Sequence, residues 1–291
     1  MEELFNFKCA DSGAEEIPLE VAEKYKLLFP EVHLNAKKMV MLSKAIKEYK
    51  KEQYCKLPFC TTVEAESLGG KVNLGDHKIG PRICQYGFNS IDELDNISGA
   101  DYTKNRIKEV LEAVEILSGE GEMVILNVQG PYSIAQSLID PKLIFKAARK
   151  EKYRIEHFFN LIEDMVVSYI KEGIKRGVKV ISYGDAGGTL DILGPKMYSE
   201  LSGRYSYNVL KRVSADLHDE IIHLCGVTSA SLEKSGFIKS TLVEINEEMT
   251  YSEAIKKAAE ENSSIKLVGH NCIKRFNVKM KKNKIWIIEV N

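Results

Sequence analysis

The chain of 291 residues is 44% hydrophobic and has a formal charge of −1, which is enough apolar content for one large α/β domain or two small ones. Because the charge is close to zero, it argues against a nucleic-acid-binding protein that depends on overall electrostatic attraction. No apolar run reaches the length of a membrane span, and the acidic start "MEELFNFK" is unlike a signal peptide. Six cysteines are too few for a secreted disulfide scaffold. We therefore expect a protein of the reducing cytoplasm, with neither nucleic acid nor membrane as a partner.

The first part of the chain is predicted to be a helical N-terminal segment, residues 1–57. Apolar residues recur at helical spacing between Ile17 and Tyr54, and Pro30 is expected to divide the segment into two helices. After Pro58, β-branched residues and glycines predict short strands and loops. The stretch "TKNRIKEVLEAVEILSGEGE" then predicts an amphipathic helix that ends at glycine.

Apolar strands and helices alternate through the rest of the chain. The predicted strands are "MVILNVQGP", "VKVISYGDAGG", "EIIHLCG", "FIKSTLVEIN" and "SIKLVGHNC", and the longest helix between them runs from Lys152 to Arg176. Continuous apolar strands in such an alternation indicate a parallel sheet covered by helices. The number of strand–helix units favours an α/β fold of the (β/α)8 TIM-barrel type over an open sheet. Because no linker divides the chain, we predict a single domain over residues 1–291.

Polar or small residues follow most of the predicted strands. They are Gln129-Gly130, Gly184-Asp185, His223-Leu224-Cys225 and Gly269-His270-Asn271-Cys272. The carboxyl ends of barrel strands form the catalytic face, so one barrel brings these distant segments together. No phosphate-binding loop and no glycine-rich dinucleotide fingerprint is present, so a nucleotide site has no sequence support.

The last residues of "EIIHLCG" predict a metal site. His223 and Cys225 lie two apart on one strand and therefore point to the same face. Cys272, at the end of a later predicted strand, is the third candidate ligand, and His270 competes with it because both have the same parity along that strand. Two sulfurs and one imidazole suit zinc, with the fourth position open for substrate or water.

Three acidic residues are candidates for a catalytic role. Asp185 ends its strand in a glycine-rich loop, where an acid is predicted to be functional. Glu64 and Glu66 lie two apart in "TVEAES" and are equally compatible with function or structure. Any of the three is suited to occupy the open zinc position, to orient His223, or to cap a helix.

Four segments, in order from Thr61 to Cys272, resemble one family. "TTVEAESLGGKVNLGD", "VQGPYSIAQSLID", "GDAGGTLDILGPKMYSE" and "IIHLCGVTSASLEKSGF" are similar to segments of the methylcobamide:coenzyme M methyltransferases, in the uroporphyrinogen decarboxylase superfamily. The chain differs from that family at Val227, where asparagine is usual, and in the sequence "GHNCIKR" around the last cysteine.

The resemblance implies a TIM barrel that binds zinc through His223, Cys225 and Cys272. It also implies transfer of a methyl group between a methylcobamide, carried by a partner corrinoid protein, and a small thiol such as coenzyme M. Gly130 and Gly187 lie in loops that would approach this corrinoid cofactor, because glycine permits close contact.

Other functions remain open at this point. One alternative is a zinc hydrolase or lyase that activates water, although two cysteine ligands oppose it. Another is a demethylase that passes a substrate methyl group to the corrinoid protein, and a third is a non-catalytic relative. True uroporphyrinogen decarboxylases carry an N-terminal arginine stretch for the substrate carboxylates, and this sequence has none.

Overall fold

The computed structural model of the protein describes residues 17–291. The described chain forms two compact units, which meet along the sequence at Val178 and Lys179. The expectation that the acidic start is no signal peptide falls on residues outside the described ones, as does the first part of the predicted helical segment. The prediction of a single domain stays a prediction.

The first unit, residues 17–178 as described, combines seven α-helices and two 3-10 turns with four strands. In chain order its elements are α1 (Leu19–Lys24), α2 (Ala36–Lys50), β1 (Tyr54–Leu57), α3 (Val63–Ser67), β2 (Lys71–Asn73), β3 (Arg82–Gln85), α4 (Asn105–Gly119), β4 (Met123–Gln129), α5 (Pro131–Leu138), α6 (Pro141–Lys150) and α7 (Lys152–Lys175). Strands β1 and β4 are parallel, with Tyr54 opposite Met123 and Leu57 opposite Leu126. Strands β2 and β3 form an antiparallel pair.

The helical N-terminal segment is shorter than predicted. Pro30 lies between α1 and α2, as expected, but α2 ends at Lys50 and Lys51 adopts the left-handed conformation with φ 53°. Tyr54–Leu57 then form β1, and all four residues are buried. The helix ends early because the chain reverses its backbone twist at Lys51, and the residues after it pair with β4 instead of continuing the helix.

The second unit, Lys179–Asn291, contains the remaining strand–helix alternation. Its elements are β5 (Val180–Gly184), α8 (Leu190–Met197), a π-helical turn (Tyr198–Gly203), α9 (Arg204–Ser214), β6 (Ile221–Cys225), α10 (Gly226–Lys234), β7 (Ile238–Ile245), β8 (Met249–Thr250), α11 (Tyr251–Glu261), β9 (Leu267–Asn271), β10 (Lys279–Met280) and β11 (Asn283–Val290). Strand β6 is parallel to β5 on one side and to β9 on the other.

The parallel alternation does not continue through β7. This strand pairs antiparallel with β11, and β11 in turn pairs antiparallel with β9. Only Ile238 and Ile245, at the two ends of β7, are buried, whereas β6 is buried through its middle. An antiparallel pair of strands can expose one of its faces to water, whereas a parallel strand covered by helices is buried on both faces.

The buried strands explain why the sequence pattern identified the fold class. Val124, Ile125 and Leu126 of β4 and Ile222 and Leu224 of β6 are fully buried. Parallel strands alternate with helices in both units, so the α/β class is confirmed. Within the described residues, no helix combines the length and the apolarity needed to cross a bilayer.

Candidate active site

His223 and Cys225 lie on β6, an interior strand of the second unit, and Cys225 is its carboxyl-terminal residue. Strand β6 lies between β5 and β9, so His223 is opposite Ser182 on one side and Val268 on the other. Cys225 is the last residue of β6 and the N-cap of α10. The strand therefore presents one imidazole and one thiol two residues apart, as the sequence predicted.

His223 is fully buried in an apolar environment. Its ring packs in a T-shaped arrangement against the rings of Phe276 and Tyr251. The distances between ring centroids are 4.9 Å and 6.0 Å, respectively. Neither Nδ1 nor Nε2 has a hydrogen-bond partner within the described part of the chain. Burial lowers the pKa of His223 to about 3, so the ring is neutral at physiological pH. Leaving such groups without partners is unfavourable, and a neutral imidazole is the form that binds metal ions.

A bulge in β9 changes how His270 and Cys272 relate to this site. Val268 lies opposite His223, but Asn271 lies opposite Cys225, so β9 contains one extra residue between these pairs. His270 lies in this bulge and has a left-handed backbone conformation, with φ 53°. Strand alternation is interrupted here, so the argument that gave His270 and Cys272 the same direction does not apply.

The His270 side chain makes contacts with residues of β7 and β11. Its Nε2 lies 2.9 Å from the Ser240 hydroxyl, and its backbone N–H donates to Ser229 Oγ at 2.9 Å. The ring also packs against Trp286 of β11, with 5.8 Å between ring centroids. These contacts use Nε2 of His270 for packing, whereas its Nδ1 is buried without a partner in the described chain. Cys272 stays the predicted third ligand, with His270 as its competitor.

Cys225 and Cys272 are brought to neighbouring strand ends. Cys272 directly follows Asn271, the residue opposite Cys225, and both cysteines are partly exposed. Their side chains and that of His223 do not form a preassembled cluster, since no group of three or more His, Cys, Asp or Glu residues arranged for a metal ion occurs in residues 17–291. The fit to zinc therefore rests on donor type, on adjacent strand ends and on the buried imidazole without a partner, and by these criteria the residues fit.

Asp185 follows β5 and is held by the helices that come after it. The hydroxyls of Ser202 and Ser206 both donate to Asp185 Oδ2 at 3.1 Å, and the Asp185 backbone N–H donates to Thr228 Oγ1 at 2.9 Å. The carboxylate is buried. These contacts give Asp185 a structural role in ordering the loop after β5, and its catalytic role stays a prediction.

The two glycines predicted to approach a cofactor have different surroundings. Gly130 is the buried N-cap of α5, with an extended backbone at φ −76°. Gly187 is in a 3-10 turn, Ala186–Gly188, after Asp185 and is partly exposed. Neither has a left-handed φ, so backbone conformation alone does not require glycine at these positions.

Glu64 is a buried carboxyl group in the first unit. Its Oε1 accepts a hydrogen bond from the Gln129 backbone N–H at 2.9 Å, at the carboxyl end of β4, and its Oε2 has no partner among the described residues. Burial raises the pKa of Glu64 to about 7, against the smaller lowering effects of that backbone hydrogen bond and of Arg106. A carboxyl group with such a pKa gains and loses a proton near neutral pH.

A buried arginine that was not predicted from the sequence, Arg106, lies near this carboxyl. Arg106 donates to Glu66, to Thr62 Oγ1 at 2.7 Å and to Cys60 Sγ at 3.3 Å. Glu66 therefore has a structural role in the described fold. The missed signal is the position of Arg106 on the apolar face of α4, where a cation requires buried partners.

The chain is similar in sequence to a known protein family. The profile of the family described as uroporphyrinogen decarboxylase (URO-D) matches residues 15–271. Over 223 residues the chain is 26% identical to the methylcobamide:CoM methyltransferase MtaA of Methanosarcina barkeri, covering 74% of this chain and 63% of that protein. Over 217 residues it is 24% identical to the methylcobamide:CoM methyltransferase MtbA of Methanosarcina acetivorans, covering 74% of this chain and 64% of that protein.

A solved structure resembles the chain as well. A methyltransferase from Methanosarcina mazei superposes with a TM-score of 0.64 at 19% identity, covering 77% of this chain and 67% of that one. This likeness confirms the predicted fold class. The chain spans less than two thirds of the length of the curated relatives that it matches.

Proposed function

Because the chain belongs to the uroporphyrinogen decarboxylase family, we propose that it is a methyltransferase that moves a methyl group between a corrinoid protein and a small thiol. Relatives named methylcobamide:CoM methyltransferases support the reaction class. The observation that carries the proposal is the buried His223, whose two nitrogens have no partner in the described chain, two residues before Cys225 at a strand end. This arrangement supports a metal-dependent reaction at the end of β6.

We assign zinc binding to His223, Cys225 and Cys272. Bound zinc would hold the substrate sulfur as a thiolate, which is the nucleophilic form of a thiol. His223 contributes a neutral nitrogen, because burial in an apolar environment disfavours its protonated form. Cys225 and Cys272 contribute sulfurs from neighbouring strand ends.

The chain's own residues would keep water away from the histidine. Phe276 and Tyr251 pack against the His223 ring, and all three side chains are buried. A dry environment strengthens electrostatic interactions in the site and suppresses hydrolysis. The dry environment of His223 and the two cysteines together favour thiol alkylation over the activation of water.

Glu64 is proposed to transfer a proton. Its raised pKa, about 7, allows both protonation states under working conditions, and Oε2 is free to meet a substrate group. Gly130 and Gly187 are proposed to allow the close approach of the methylcobamide. Asp185 is proposed to support catalysis through the loop after β5, which its serine contacts hold in place.

The test combines metal analysis with a methyl-transfer assay. The purified protein should contain one zinc per chain and should demethylate methylcobalamin in the presence of a competent thiol, a reaction followed by the visible spectrum of the corrinoid. Cys225→Ala and Cys272→Ala should lose both properties. Cys84→Ala is the matched control, because Cys84 is an exposed cysteine on β3 that is not proposed as a ligand.

Two results would contradict the proposal. If Cys272→Ala keeps its zinc, the third ligand is wrong. If no thiol in a panel that includes coenzyme M gives metal-dependent demethylation of methylcobalamin or of a methylated corrinoid protein, the assignment as a thiol methyltransferase is wrong.

A further inference from the structure

Two short helices, α5 and α6, lie in the connection between β4 and the long helix α7. Strand β4 ends at Gln129, whose backbone binds Glu64, and the chain does not enter the long helix α7 until Lys152. The intervening residues form α5 and α6, and both helices pack against α7. In α/β proteins with parallel strands, connections at the carboxyl ends of strands form the functional face. Helix α6 therefore belongs to a connection on that side of β4.

Helix α6 exposes four cations on one face. Lys142, Lys146, Arg149 and Lys150 lie at positions i, i+4, i+7 and i+8 and are all exposed, and we call them the basic face of α6. At 1.5 Å per residue the whole helix is about 15 Å long, so the four charges are closely spaced. The opposite side of the helix is held by Ile144 and Ala147, which are buried.

The basic face is not neutralised by the described chain. Exposed lysines elsewhere pair with acidic residues one turn away, as Lys108 does with Glu112 and Lys256 with Glu260. None of the four cations of α6 forms an ion pair with any residue in 17–291. Like charges three or four residues apart repel one another, and these cations have no partner in the described chain, so they are available to an external anion.

The acidic residues at the two ends of α6 do not offset this charge. The Asp140 carboxylate caps the helix by accepting from the Lys142 backbone N–H at 2.8 Å. Glu151 binds Arg154 at 3.0 Å. Tyr153, one turn beyond the basic face, is 84% exposed and adds an aromatic surface of the kind enriched in protein interfaces.

We propose that the basic face of α6 is the docking surface for an acidic patch on the methyl-carrying corrinoid protein. This inference rests on the proposed function, which requires a protein partner to arrive, transfer a methyl group and leave. A small charged contact suits such an encounter, because complementary charge accelerates association without creating a tight complex. A protein partner fits better than nucleic acid, since a strip of about 15 Å in a chain with a net charge of −1 offers few phosphate contacts.

The experiment compares a protein donor with a free one. Thiol methylation is measured with methylated corrinoid proteins and with free methylcobalamin, between about 50 and 300 mM salt. The variant Lys146→Glu with Arg149→Glu reverses two charges of the basic face. The control, Lys37→Glu with Lys281→Glu, makes the same change in net charge at an exposed lysine on α2 and an exposed lysine in the turn between β10 and β11.

The expected result is specific to the protein donor. The α6 variant should raise the KM for the corrinoid protein about tenfold and weaken its salt dependence, as charge changes at an interface rim do. Turnover with free methylcobalamin should stay within about twofold of the unmodified protein, which also verifies that the variant is folded. The control should match the unmodified protein with both donors.

The remaining outcomes overturn one proposal or both. An unchanged KM for the corrinoid protein in the α6 variant overturns the docking surface and leaves the methyltransferase proposal standing. Turnover with free methylcobalamin but with none of the corrinoid proteins also overturns the docking surface. No turnover with either donor overturns the methyltransferase proposal and, with it, the docking surface.

Discussion

Replacing Glu64 with glutamine should stabilise the protein, and more strongly at high pH than at low pH. The Glu64 carboxyl is buried, one oxygen has no partner in residues 17–291, and burial raises its pKa from 4.5 to about 7. A raised carboxyl pKa means that the folded state binds the proton more tightly than the unfolded state. The native charge therefore weakens folding increasingly as pH rises from 4.5 towards 7, and the penalty is complete above pH 7.

The size of this effect follows from the two pKa values. At pH 8.5 the ionised carboxyl destabilises the folded state by about 3 kcal/mol, and at pH 5.5 by about 1 kcal/mol. Glutamine keeps an oxygen to accept from the Gln129 N–H and carries no charge. Any constant effect of the new amide cancels between the two pH values, so the stabilisation should grow by about 2 kcal/mol from pH 5.5 to pH 8.5.

The assay is urea unfolding of the unmodified protein and of Glu64→Gln at both pH values. Glu23→Gln is the control, because it removes one carboxylate from an exposed position on α1 and should change stability by less than about 0.5 kcal/mol. A stability difference that does not change with pH would refute the pKa assigned to Glu64. If Glu64 also transfers a proton, the more stable variant should be the less active one in methyl transfer.

Three further substitutions test the roles of other buried groups. Asp185→Ala should lower the free energy of unfolding by about 2 kcal/mol or more, because two serine hydroxyls lose their acceptor. If the free energy of unfolding changes by less than about 0.5 kcal/mol and activity is lost completely, the carboxylate is catalytic and not structural. His270→Ala should leave the zinc content unchanged and lower the free energy of unfolding by about 1 kcal/mol, and loss of the metal would restore His270 as a ligand. Arg106→Met should destabilise the first unit by about 3 kcal/mol in calorimetry, since it removes a buried cation from its anionic partner, and an unchanged melting temperature would contradict the buried contacts.

The sequence predicted those parts of the fold that depend on local pattern. The run "MVILNVQ" forms β4 and "IIHLC" forms β6, because the middle of each strand is buried on both faces and is therefore mainly apolar. The long helix predicted from Lys152 to Arg176 is α7, Lys152–Lys175. In these segments the choice of structure follows from residues that are close in the chain.

Long-range pairing accounts for most of what the sequence analysis missed. The antiparallel pairing of β7 with β11 joins segments that are separated by an α-helix and three strands, and nothing in "FIKSTLVEIN" identifies its partner strand. The bulge in β9 depends on how that strand fits beside β6 and β11, so a rule of strict alternation placed His270 and Cys272 on one side. The ends of β5, β6 and β9 were predicted correctly, but the bulge in β9 was not.

The candidate residues occupy similar positions in the fold but differ in whether their buried polar atoms have hydrogen-bond partners. Asp185, Glu64 and His223 all lie at or beside the carboxyl end of a strand, and all are buried. The carboxylate of Asp185 accepts two hydroxyl hydrogen bonds, whereas Glu64 has one oxygen and His223 two nitrogens without partners in the described chain. Since an unsatisfied buried polar group opposes folding, such groups persist where a ligand or a reaction uses them. Glu64 and His223 are therefore the residues at which function and stability are expected to conflict, and Asp185 is the one at which they agree.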